Sequence, residues 1–327
     1  MSTENEKHTW AVVLAGGDGT RLQEMTHRIA GDSRPKQFCQ FFGGKTLLSH
    51  TRDRIAPLFD EDRTLFVLGR AHEPFYRDQL AEVHDRRKIV QPQNRGTAVA
   101  MALCLEIIAQ QDEEALVAFF PSDHHYSNSA AFRESVEAGL RLMPEYPQSI
   151  LIVGAEARYP EVEYGWIQPG RTLVDSPANS LHRVSRFWEK PTARYAKGLH
   201  RQRYLWNTFV TIGLAGAFFE LLQATVPHIR RLVEDVGSDT ELDDLYNKIA
   251  PVDFSRAVLA PMPERLLVMR DAASGWTDLG SPRRVIELLC EHGMRPPWLG
   301  TSHWSGFDAE DCRKLLATDK QRASRAS

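Results

Sequence analysis

Short apolar runs alternate with helix-forming segments through the first 155 residues of this chain. The runs at Trp10–Ala15, Thr64–Leu68 and Ala115–Phe120 have the length and apolar character of buried strands. Between them, Leu47–Phe59 and Thr97–Ala109 carry apolar residues at helical spacing. Repeated strand–helix–strand order requires crossover connections, which favour a parallel sheet with helices on both faces. We therefore predict an α/β fold with a mixed, mainly parallel sheet flanked by helices.

After residue 155 the alternation becomes irregular. Strand-like runs are Ser185–Trp188, Phe209–Leu214 and Leu266–Met269, and helical patterns are Ala217–Thr225, Glu241–Ile249 and Arg283–Glu291. The second half is therefore expected to add mixed sheet and helical cover to the first half. We predict a polar tail over 1–9, one Rossmann-like domain over 10–290 with halves at 10–155 and 156–290, and an extension over 291–327 with a disordered end.

The charges of the chain nearly cancel. Lys plus Arg number 40 and Asp plus Glu number 43, a net charge of −3, so no general field attracts nucleic acid or an anionic membrane. No apolar run approaches the roughly 20 residues that a membrane span needs, and the N-terminus has no signal-peptide core. The four cysteines fit no zinc spacing and are expected to be thiols in a reducing compartment. We expect a cytoplasmic protein without nucleic-acid or membrane partners.

A glycine-rich segment follows the first predicted strand. It reads Leu14-Ala15-Gly16-Gly17-Asp18-Gly19-Thr20-Arg21-Leu22. Glycines let the backbone approach a ligand closely, and the arginine after them offers a planar fork of donors to phosphate. Leu22 stands where the dinucleotide-binding pattern needs its last glycine, and no Gly-Lys-Ser/Thr of a Walker loop follows. The segment predicts a phosphate-binding turn, the alternative being an ordinary tight strand-to-helix turn.

Two further polar segments also come directly after predicted strands. Gln91–Thr97 follows an Ile-Val pair, and Pro121–Asp123 follows the third predicted strand. Ligands of parallel α/β sheets bind beyond the carboxyl ends of the strands, so these segments and the glycine loop are expected to share one site. Lys36, in a stiff turn after a proline, could reach the same phosphates, although an isolated lysine is usually a surface residue.

Taken in order, these segments and several later ones resemble the motifs of one family. They are the G-G-x-G-T-R-L loop at 16–22, Pro35-Lys36-Gln37-Phe38, Gln91–Ala98, Pro121-Ser122-Asp123-His124, Tyr164-Gly165-Trp166-Ile167, Phe187-Trp188-Glu189-Lys190-Pro191, Trp206-Asn207-Thr208 and Gly275–Ser281. Together they resemble the sugar-1-phosphate nucleotidylyltransferases, or nucleotide-sugar pyrophosphorylases, and most of all the mannose-1-phosphate guanylyltransferases. The ordered matches extend over about residues 10 to 285.

The resemblance implies a nucleotide-diphospho-sugar transferase fold and a role for each matching residue. The nucleotide contacts would be Leu14, Ala15, Gly16, Gly17, Gly19, Thr20, Gln91, Arg95, Gly96 and Thr97. The catalytic residues would be Arg21, Lys36 and Lys190, and the sugar-phosphate contacts would be Gly165, Glu189, Lys190 and Asn207. Asp123 and Asp278 would hold Mg²⁺, which takes few protein carboxylates and completes its shell with phosphate and water. Considered alone, Asp123 could equally be a turn or cap aspartate.

The reaction implied by this resemblance joins a sugar-1-phosphate to a nucleoside triphosphate. A phosphate oxygen of mannose-1-phosphate would attack the α-phosphorus of GTP, giving GDP-mannose and pyrophosphate. Since the nucleophile is already an anion, positioning and charge neutralisation suffice without a general base. One alternative is another base or sugar, because Gln91 could also pair with uracil or thymine. Another is a non-catalytic paralogue that binds a nucleotide sugar and regulates a partner. We expect a monomer or a small homo-oligomer.

The chain departs from the family pattern at several points. Residues 23–34 form a longer segment than usual after the glycine loop, which is expected to lengthen a lid over the nucleotide. Gly96 stands where the guanylyltransferases usually carry Asn, and Phe209 replaces the glycine of their W-N-S-G segment. About 45 residues follow the late Trp-Thr-Asp turn, so no C-terminal β-helix is expected.

Overall fold

The computed structural model describes residues 8–176, 179–234, 239–271, 273–294, 296 and 298. The strands are β1 (Thr9–Leu14), β2 (Thr64–Gly69), β3 (Lys88–Gln91), β4 (Leu116–Pro121), β5 (His124–Tyr126), β6 (Ile150–Glu156), β7 (Gly165–Val174), β8 (Leu181–Glu189), β9 (Leu205–Leu214), β10 (Leu266–Asp271) and β11 (Trp276–Asp278). The helices are α1 (Gln23–Ala30), α2 (Leu47–Ile55), α3 (Glu73–Tyr76), α4 (Thr97–Ala109), α5 (Ser129–Leu142), α6 (Ala193–Arg201), α7 (Ala215–Thr225), α8 (Pro227–Glu234), α9 (Asp239–Lys248) and α10 (Pro282–Glu291).

Nine of the strands form one central sheet in the order β3-β2-β1-β4-β9-β6-β10-β8-β7, and β5 pairs with β11 in a separate small sheet. Strands β1 to β4, β6 and β10 run in one direction, while β9 is antiparallel to β4 and β6, and β8 is antiparallel to β10 and β7. The predicted mixed, mainly parallel α/β sheet is confirmed, and the described residues contain no β-helix. Because β9 lies between β4 and β6, the two halves of the chain share one sheet.

Helices cover both faces of the sheet because successive strand residues point to opposite sides. In β1, Trp10 and Val12 belong to the core beneath α4 and α7, whereas Ala11 and Val13 belong to the core beneath α2 and α5. Strands buried on both faces give continuous apolar runs, which explains why they were predictable from the sequence. Such runs are missing in β7, an edge strand with polar residues, in β3 and β8, which mix polar and apolar residues, and in the three-residue strands β5 and β11.

Helix α1 lies in the 23–34 segment, for which the sequence predicts a lid. Met25 and Leu22 are buried in a third core that also contains Val285 and Leu289 of α10. Residues 23–34 line neither of the cavities described below. The structure does not support a lid here, because the apolar side of α1 packs against the late helix α10.

Two other expectations concern cysteines and the ends of the chain. Cys39 and Cys104 are buried thiols, but Cys290 is disulfide-bonded, so the expectation of four thiols is wrong. Spacing along the sequence does not report which cysteines meet in space. Residues 1–7 of the expected tail and most of the expected extension 291–327 lie outside the described residues. Within the described part of the chain, no helix is long and apolar enough to cross a membrane.

Candidate active site

Two adjoining cavities open at the carboxyl ends of β1, β3 and β4. Their volumes are about 510 and 300 Å³, and Arg21, Asn94 and Asp123 line both. The larger cavity contains the predicted residues Leu14, Gly16, Gly17, Arg21, Gln91, Gly96, Thr97, Asp123, Gly165, Glu189, Lys190, Asn207 and Asp278. The smaller one contains Gly19, Thr20, Arg21, Lys36 and Asp123. Segments predicted to bind nucleotide, metal and sugar phosphate thus meet in one cleft.

The three glycines of the loop have different surroundings. A Cβ on Gly19, whose φ is +60°, would lie 2.9 Å from the backbone nitrogen of Lys36, and one on Gly16 would lie 2.5 Å from Gln91 Nε2. A Cβ on Gly17 would meet nothing within 4 Å. Gly16 and Gly19 are therefore required by the packing of the loop itself. Gly17 instead borders open space in the larger cavity, where a ligand could approach the backbone.

The side chain of Gln37 ties the glycine loop to the turn that carries Lys36. Its Nε2 donates hydrogen bonds to the carbonyl oxygens of Ala15, at 2.9 Å, and Gly17, at 2.7 Å. The N–H of Ala15 donates to the carbonyl of Val67 at 2.8 Å. Ala15 is fully buried and lines neither cavity, so its predicted contact with the nucleotide is not supported. The sequence analysis did not assign Gln37, although it lies within the Pro-Lys-Gln-Phe motif.

The segment Pro251–Ser255, which we call the strap, packs against the turn Gln91–Thr97, which we call the base turn. The N–H of Val252 donates to the carbonyl of Arg95 at 3.0 Å, and the carbonyl of Val252 accepts from the N–H of Ala98 at 3.1 Å. These two hydrogen bonds fix the strap as one wall of the larger cavity. The sequence analysis missed the strap because it has no strand or helix periodicity.

Gly96 allows this close contact between strap and base turn. It has a φ of +83°, and a Cβ there would lie 2.3 Å from the carbonyl oxygen of Val252. The side chain of Thr97 also accepts a hydrogen bond from the N–H of Phe254 at 2.9 Å. The departure from the family's usual Asn therefore has a steric cause in this chain.

Gln91 and Arg95, both predicted to contact the nucleotide, are placed differently. The Gln91 side chain is buried at the wall of the larger cavity, and its Oε1 accepts a hydrogen bond from the Tyr246 hydroxyl at 2.9 Å. Its Nε2 remains available as a donor near the glycine loop. The Nε of Arg95 instead donates to the carbonyl of Tyr246 at 2.6 Å, and Arg95 lines neither cavity. A direct nucleotide contact by Arg95 is therefore not supported.

The small β5–β11 sheet brings the two predicted metal ligands together. Its register pairs Asp278 with His124, so Asp278 lies beside Asp123, the residue before His124. The Nδ1 of His124 accepts a hydrogen bond from Trp276 Nε1 at 3.1 Å, which ties the two strands through their side chains. Burial lowers the pKa of His124, with smaller opposing effects of the two aspartates. His124 therefore acts as a neutral support for the carboxylates.

The ammonium of Lys36 lies between these carboxylates. Its Nζ is 2.8 Å from Asp278 Oδ1 and 3.1 Å from Asp123 Oδ2, and only 8% of its side chain is exposed. Burial alone would lower the pKa of Lys36, but the two carboxylates outweigh it and raise this pKa. Burial likewise acts to raise the pKa of Asp278, but Lys36, with a smaller effect of Arg284, holds this pKa well below its usual range. Lys36 and Asp278 are therefore both ionised at neutral pH.

The surroundings of Lys36 Nζ indicate whether Asp123 and Asp278 fit a metal ion. The ammonium there is a cation within hydrogen-bond distance of two carboxylate oxygens, and hard oxygen ligands of this kind are the donors that Mg²⁺ prefers. Among the described residues, no group of three or more His, Cys, Asp and Glu side chains could hold a metal ion. Asp123 and Asp278 thus fit a cation that takes its remaining ligands from phosphate and water.

The other end of the larger cavity is formed by β7, β8 and β9. A Cβ on Gly165 would lie 2.9 Å from Glu189 Oε2 and 3.0 Å from Asn207 Cβ, so the missing side chain leaves both groups accessible. Burial raises the pKa of Glu189 to about 7, Asp253 adds to this shift, and Lys190 opposes it. Glu189 Oε1 is 3.6 Å from the Nζ of Lys190. This end offers a carboxylate, an amide and a cation to one ligand.

Two residues of this cavity have left-handed backbone conformations. The φ of Lys190 is +50° and that of Phe209 is +64°. Such angles are unfavourable for bulky side chains and persist where the surrounding structure enforces them. Phe209, which stands where the family pattern has a glycine, thus has a backbone conformation that glycine adopts more readily.

An ion pair crosses the cleft between its two ends. Arg21 Nη1 donates to Glu163 Oε2 at 3.1 Å, and about half of each side chain is exposed. Glu163 comes directly before the Tyr164-Gly165 motif, but the sequence analysis assigned it no role. The pair connects the glycine loop to the strand that begins the sugar end of the cavity.

A model of the family described as nucleotidyl transferase matches residues 10–292. The chain belongs to the nucleotidyl transferase family. The matched range contains every predicted site residue, so the cleft lies within the nucleotidyl transferase part of the chain rather than in an addition to it.

This nucleotidyl transferase is similar to several named bacterial proteins. It is 27% identical over 290 residues to a mannose-1-phosphate guanylyltransferase of Klebsiella pneumoniae, covering 85% of this chain and 59% of the relative. It is 26% identical over 317 residues to the xanthan biosynthesis protein XanB of Xanthomonas campestris, covering 94% and 64%. The chain thus spans about three fifths of the length of these relatives.

Several solved structures have a fold similar to that of this chain. A mannose-1-phosphate geranyltransferase of Thermus thermophilus is 28% identical, with a TM-score of 0.73 over 86% of this chain and 79% of that one. A UDP-glucose pyrophosphorylase complexed with UDP-glucose has a TM-score of 0.53 at 16% identity, covering 87% and 98%. The second likeness concerns the fold alone.

Proposed function

We propose that this nucleotidyl transferase joins mannose-1-phosphate to GTP, releasing pyrophosphate and forming GDP-mannose. The observation that carries the proposal is the convergence of Lys36, Asp123 and Asp278 between a glycine loop and a polar pocket. Named relatives that are mannose-1-phosphate guanylyltransferases support the choice of substrates.

The triphosphate would lie along the glycine loop in the two adjoining cavities. Gly17 leaves room for phosphate near the backbone, and Arg21 lines both cavities with a guanidinium that suits phosphate oxygens. Contact with the triphosphate would require Arg21 to leave Glu163, a half-exposed pair that is weak in water. Binding of the nucleotide would therefore open the cleft-crossing ion pair.

The sugar phosphate would lie at the opposite end of the larger cavity. Glu189 and Asn207 would accept and donate hydrogen bonds to sugar hydroxyls, and Lys190 would contact the phosphate. An oxygen of that phosphate forms a bond to the α-phosphorus of GTP while the bond from this phosphorus to the pyrophosphate oxygen breaks. No proton transfer is needed, so the residues contribute by holding the two anions in line.

The charges on these anions must be compensated for them to approach. Asp123 and Asp278 would hold Mg²⁺, which would supply charge neutralisation at the phosphates. Lys36, released from the two carboxylates, would bring its ammonium to the phosphate oxygens as a second positive charge. Lys36, Asp123 and Asp278 would then each have a partner of opposite charge in the complex.

The base would lie against the base turn and the strap. Gln91 Nε2 can donate to guanine O6, because its own oxygen is already used by Tyr246. Uracil and thymine also carry acceptor oxygens, so a different nucleotide or sugar remains the second candidate on this observation.

The test measures pyrophosphate release with GTP, UTP, dTTP and CTP, each combined with several sugar-1-phosphates. We expect the highest kcat/KM for GTP with mannose-1-phosphate, and loss of release in Asp123→Asn and Asp278→Asn. A higher kcat/KM for another pair would replace the proposed substrates. Binding of nucleotide sugars without release from any pair would support a non-catalytic role.

A further inference from the structure

The guanidinium of Arg284, in α10, lies beside Asp278 and lines neither cavity of the cleft. Its Nη2 donates to Glu161 Oε2, its Cζ is 4.6 Å from the centre of the Tyr164 ring, and only 11% of its side chain is exposed. Its Nη1 is 3.8 Å from Asp278 Oδ2, the oxygen that Lys36 does not bond. Arg284 is thus a second cation beside Asp278.

One donor of this buried guanidinium has no hydrogen-bond partner. Arg284 Nη1 is buried without one, and its distance to Asp278 Oδ2 is slightly too long for a hydrogen bond. A buried donor without a partner is unfavourable, so a small shift that closes this gap is favoured. A Cβ on Gly280 would lie 2.8 Å from Nη1 and 2.9 Å from Asp278 Oδ2, so the glycine keeps the space between the two groups free.

The groups around Arg284 connect Asp278 to the strand that begins the sugar end. The hydroxyl of Tyr164 donates to the backbone carbonyl of Asp278 at 3.1 Å. Glu161 Oε1 accepts the N–H groups of Val162, at 2.8 Å, and Glu163, at 2.9 Å. Arg284 therefore holds a loop that in turn presents Glu163 to the cleft.

We propose that Arg284 is a positioning residue that holds the Asp278 carboxylate in place when the ammonium of Lys36 leaves it for the substrate phosphates. This inference rests on the proposed function, in which Asp278 is a metal ligand. Without Arg284, a carboxylate that has lost Lys36 could turn away from the metal. Removing a residue that orients a metal ligand without itself contacting the metal typically changes metal affinity by roughly 10- to 100-fold.

The experiment measures Mn²⁺ binding to the full chain with GTP present, by electron paramagnetic resonance, so that no turnover is needed. The variants are Arg284→Met, which keeps most of the side-chain length without the charge, and Arg284→Lys, which keeps the charge without the fork. The matched control is Arg283→Met, since Arg283 is 69% exposed and pairs with Glu287 away from the cleft. Thermal unfolding of each variant reports whether it is folded.

We expect Mn²⁺ affinity to fall on the order of 10- to 100-fold in Arg284→Met, less in Arg284→Lys, and not in Arg283→Met. Unchanged affinity in a folded Arg284→Met protein would overturn the inference while leaving the metal site intact. If that variant does not fold, Arg284→Lys decides, because wild-type affinity there would overturn the inference too. Absence of Mn²⁺ binding to the unaltered chain would overturn the metal site and this inference together.

Discussion

Lys36 Nζ and Asp278 Oδ1 lie 2.8 Å apart although 242 positions separate them in the chain. The same ammonium is 3.1 Å from Asp123, so one internal cation lies between two carboxylates at the point where a metal would bind. Metal and lysine therefore compete for one place, and the phosphates of a substrate would offer the lysine a new partner.

Replacement of Lys36 tests this competition. Lys36→Met should lower the unfolding temperature without metal, since removing one partner of a buried ion pair typically costs about 3–5 kcal/mol. It should also raise the affinity for Mn²⁺ in the absence of nucleotide, and added Mn²⁺ should restore stability more than in the unaltered chain. Calorimetry with Mn²⁺ measures the affinity, with Lys45→Met, at an exposed pair with Asp53, as control. Weaker Mn²⁺ binding by Lys36→Met would contradict the competition.

The sugar end should respond to pH through Glu189, whose pKa is raised to about 7. If the ionised carboxylate accepts sugar hydroxyls, affinity for mannose-1-phosphate should rise as pH increases through 7. Asp253→Asn should move this midpoint to lower pH, because the negative charge of Asp253 helps to raise the pKa of Glu189. Calorimetric titration at several pH values measures the effect. In Glu189→Gln, the affinity should depend on pH only through the ionisation of the sugar phosphate itself, with a pKa near 6. If this variant and the unaltered chain show the same dependence of affinity on pH, the assignment of the titration to Glu189 is contradicted.

The same carboxyl makes a contribution to stability whose sign follows from its pKa. Since the folded value of about 7 exceeds the unfolded value of about 4.3, the folded protein holds the proton over this interval. The free energy of unfolding contributed by Glu189 is therefore largest below about pH 4 and is lost as pH rises through 7. Denaturant unfolding should be measured for Glu189→Gln and for the unaltered chain across this pH range. The part of the fall in the free energy of unfolding with rising pH that comes from Glu189 should be missing in the variant.

Two glycines of the nucleotide half should give opposite results. Gly17→Val should leave the unfolding temperature nearly unchanged but weaken binding of GTP, because its side chain would enter open space that the phosphates need. Gly96→Ala should lower the unfolding temperature, because its Cβ would meet the carbonyl oxygen of Val252 and its φ is +83°. Unfolding scans and calorimetry with GTP separate the two effects. Unchanged GTP affinity in folded Gly17→Val would show that the loop is only a turn.

Replacing the basic residues at the two ends of the cleft should change different kinetic constants. Lys190→Ala should raise the KM for mannose-1-phosphate, and one lost charged contact would cost about 2–3 kcal/mol, on the order of 30- to 100-fold. Arg21→Ala should lower kcat more than nucleotide affinity, because its bonds to phosphate strengthen as pyrophosphate leaves. Steady-state kinetics with each substrate varied in turn measure both. If Lys190→Ala raised only the KM for GTP, the two ends would have to be exchanged.

The sequence predicted the sheet and most of the cleft because both depend on local patterns. Strands buried on both faces are continuous apolar runs, and the family motifs lie in loops directly after them. Arg95 shows the limit of this reasoning, because position within a motif does not reveal that its guanidinium bonds the carbonyl of Tyr246.

The remaining errors concern contacts between distant segments. The strap is an irregular segment whose role follows only from its hydrogen bonds to the base turn. The 23–34 segment forms a helix whose Met25 packs against α10, about 260 residues later, and no periodicity within the segment indicates that partner. Arg284 likewise follows the last motif by three residues, and only the fold places it beside Asp278.

The third core also sets the order in which the cleft can be completed during translation. The ribosome makes Lys36 242 positions before Asp278, and it makes Met25 of α1 long before Val285 and Leu289, with which Met25 shares the third core. A polypeptide released before Asp278 would lack α10 as well, so it would expose the apolar side of α1 and leave Lys36 without its contact to Asp278. Such a truncated product would therefore lack one of the two proposed metal ligands and would carry uncovered apolar surface, which favours aggregation.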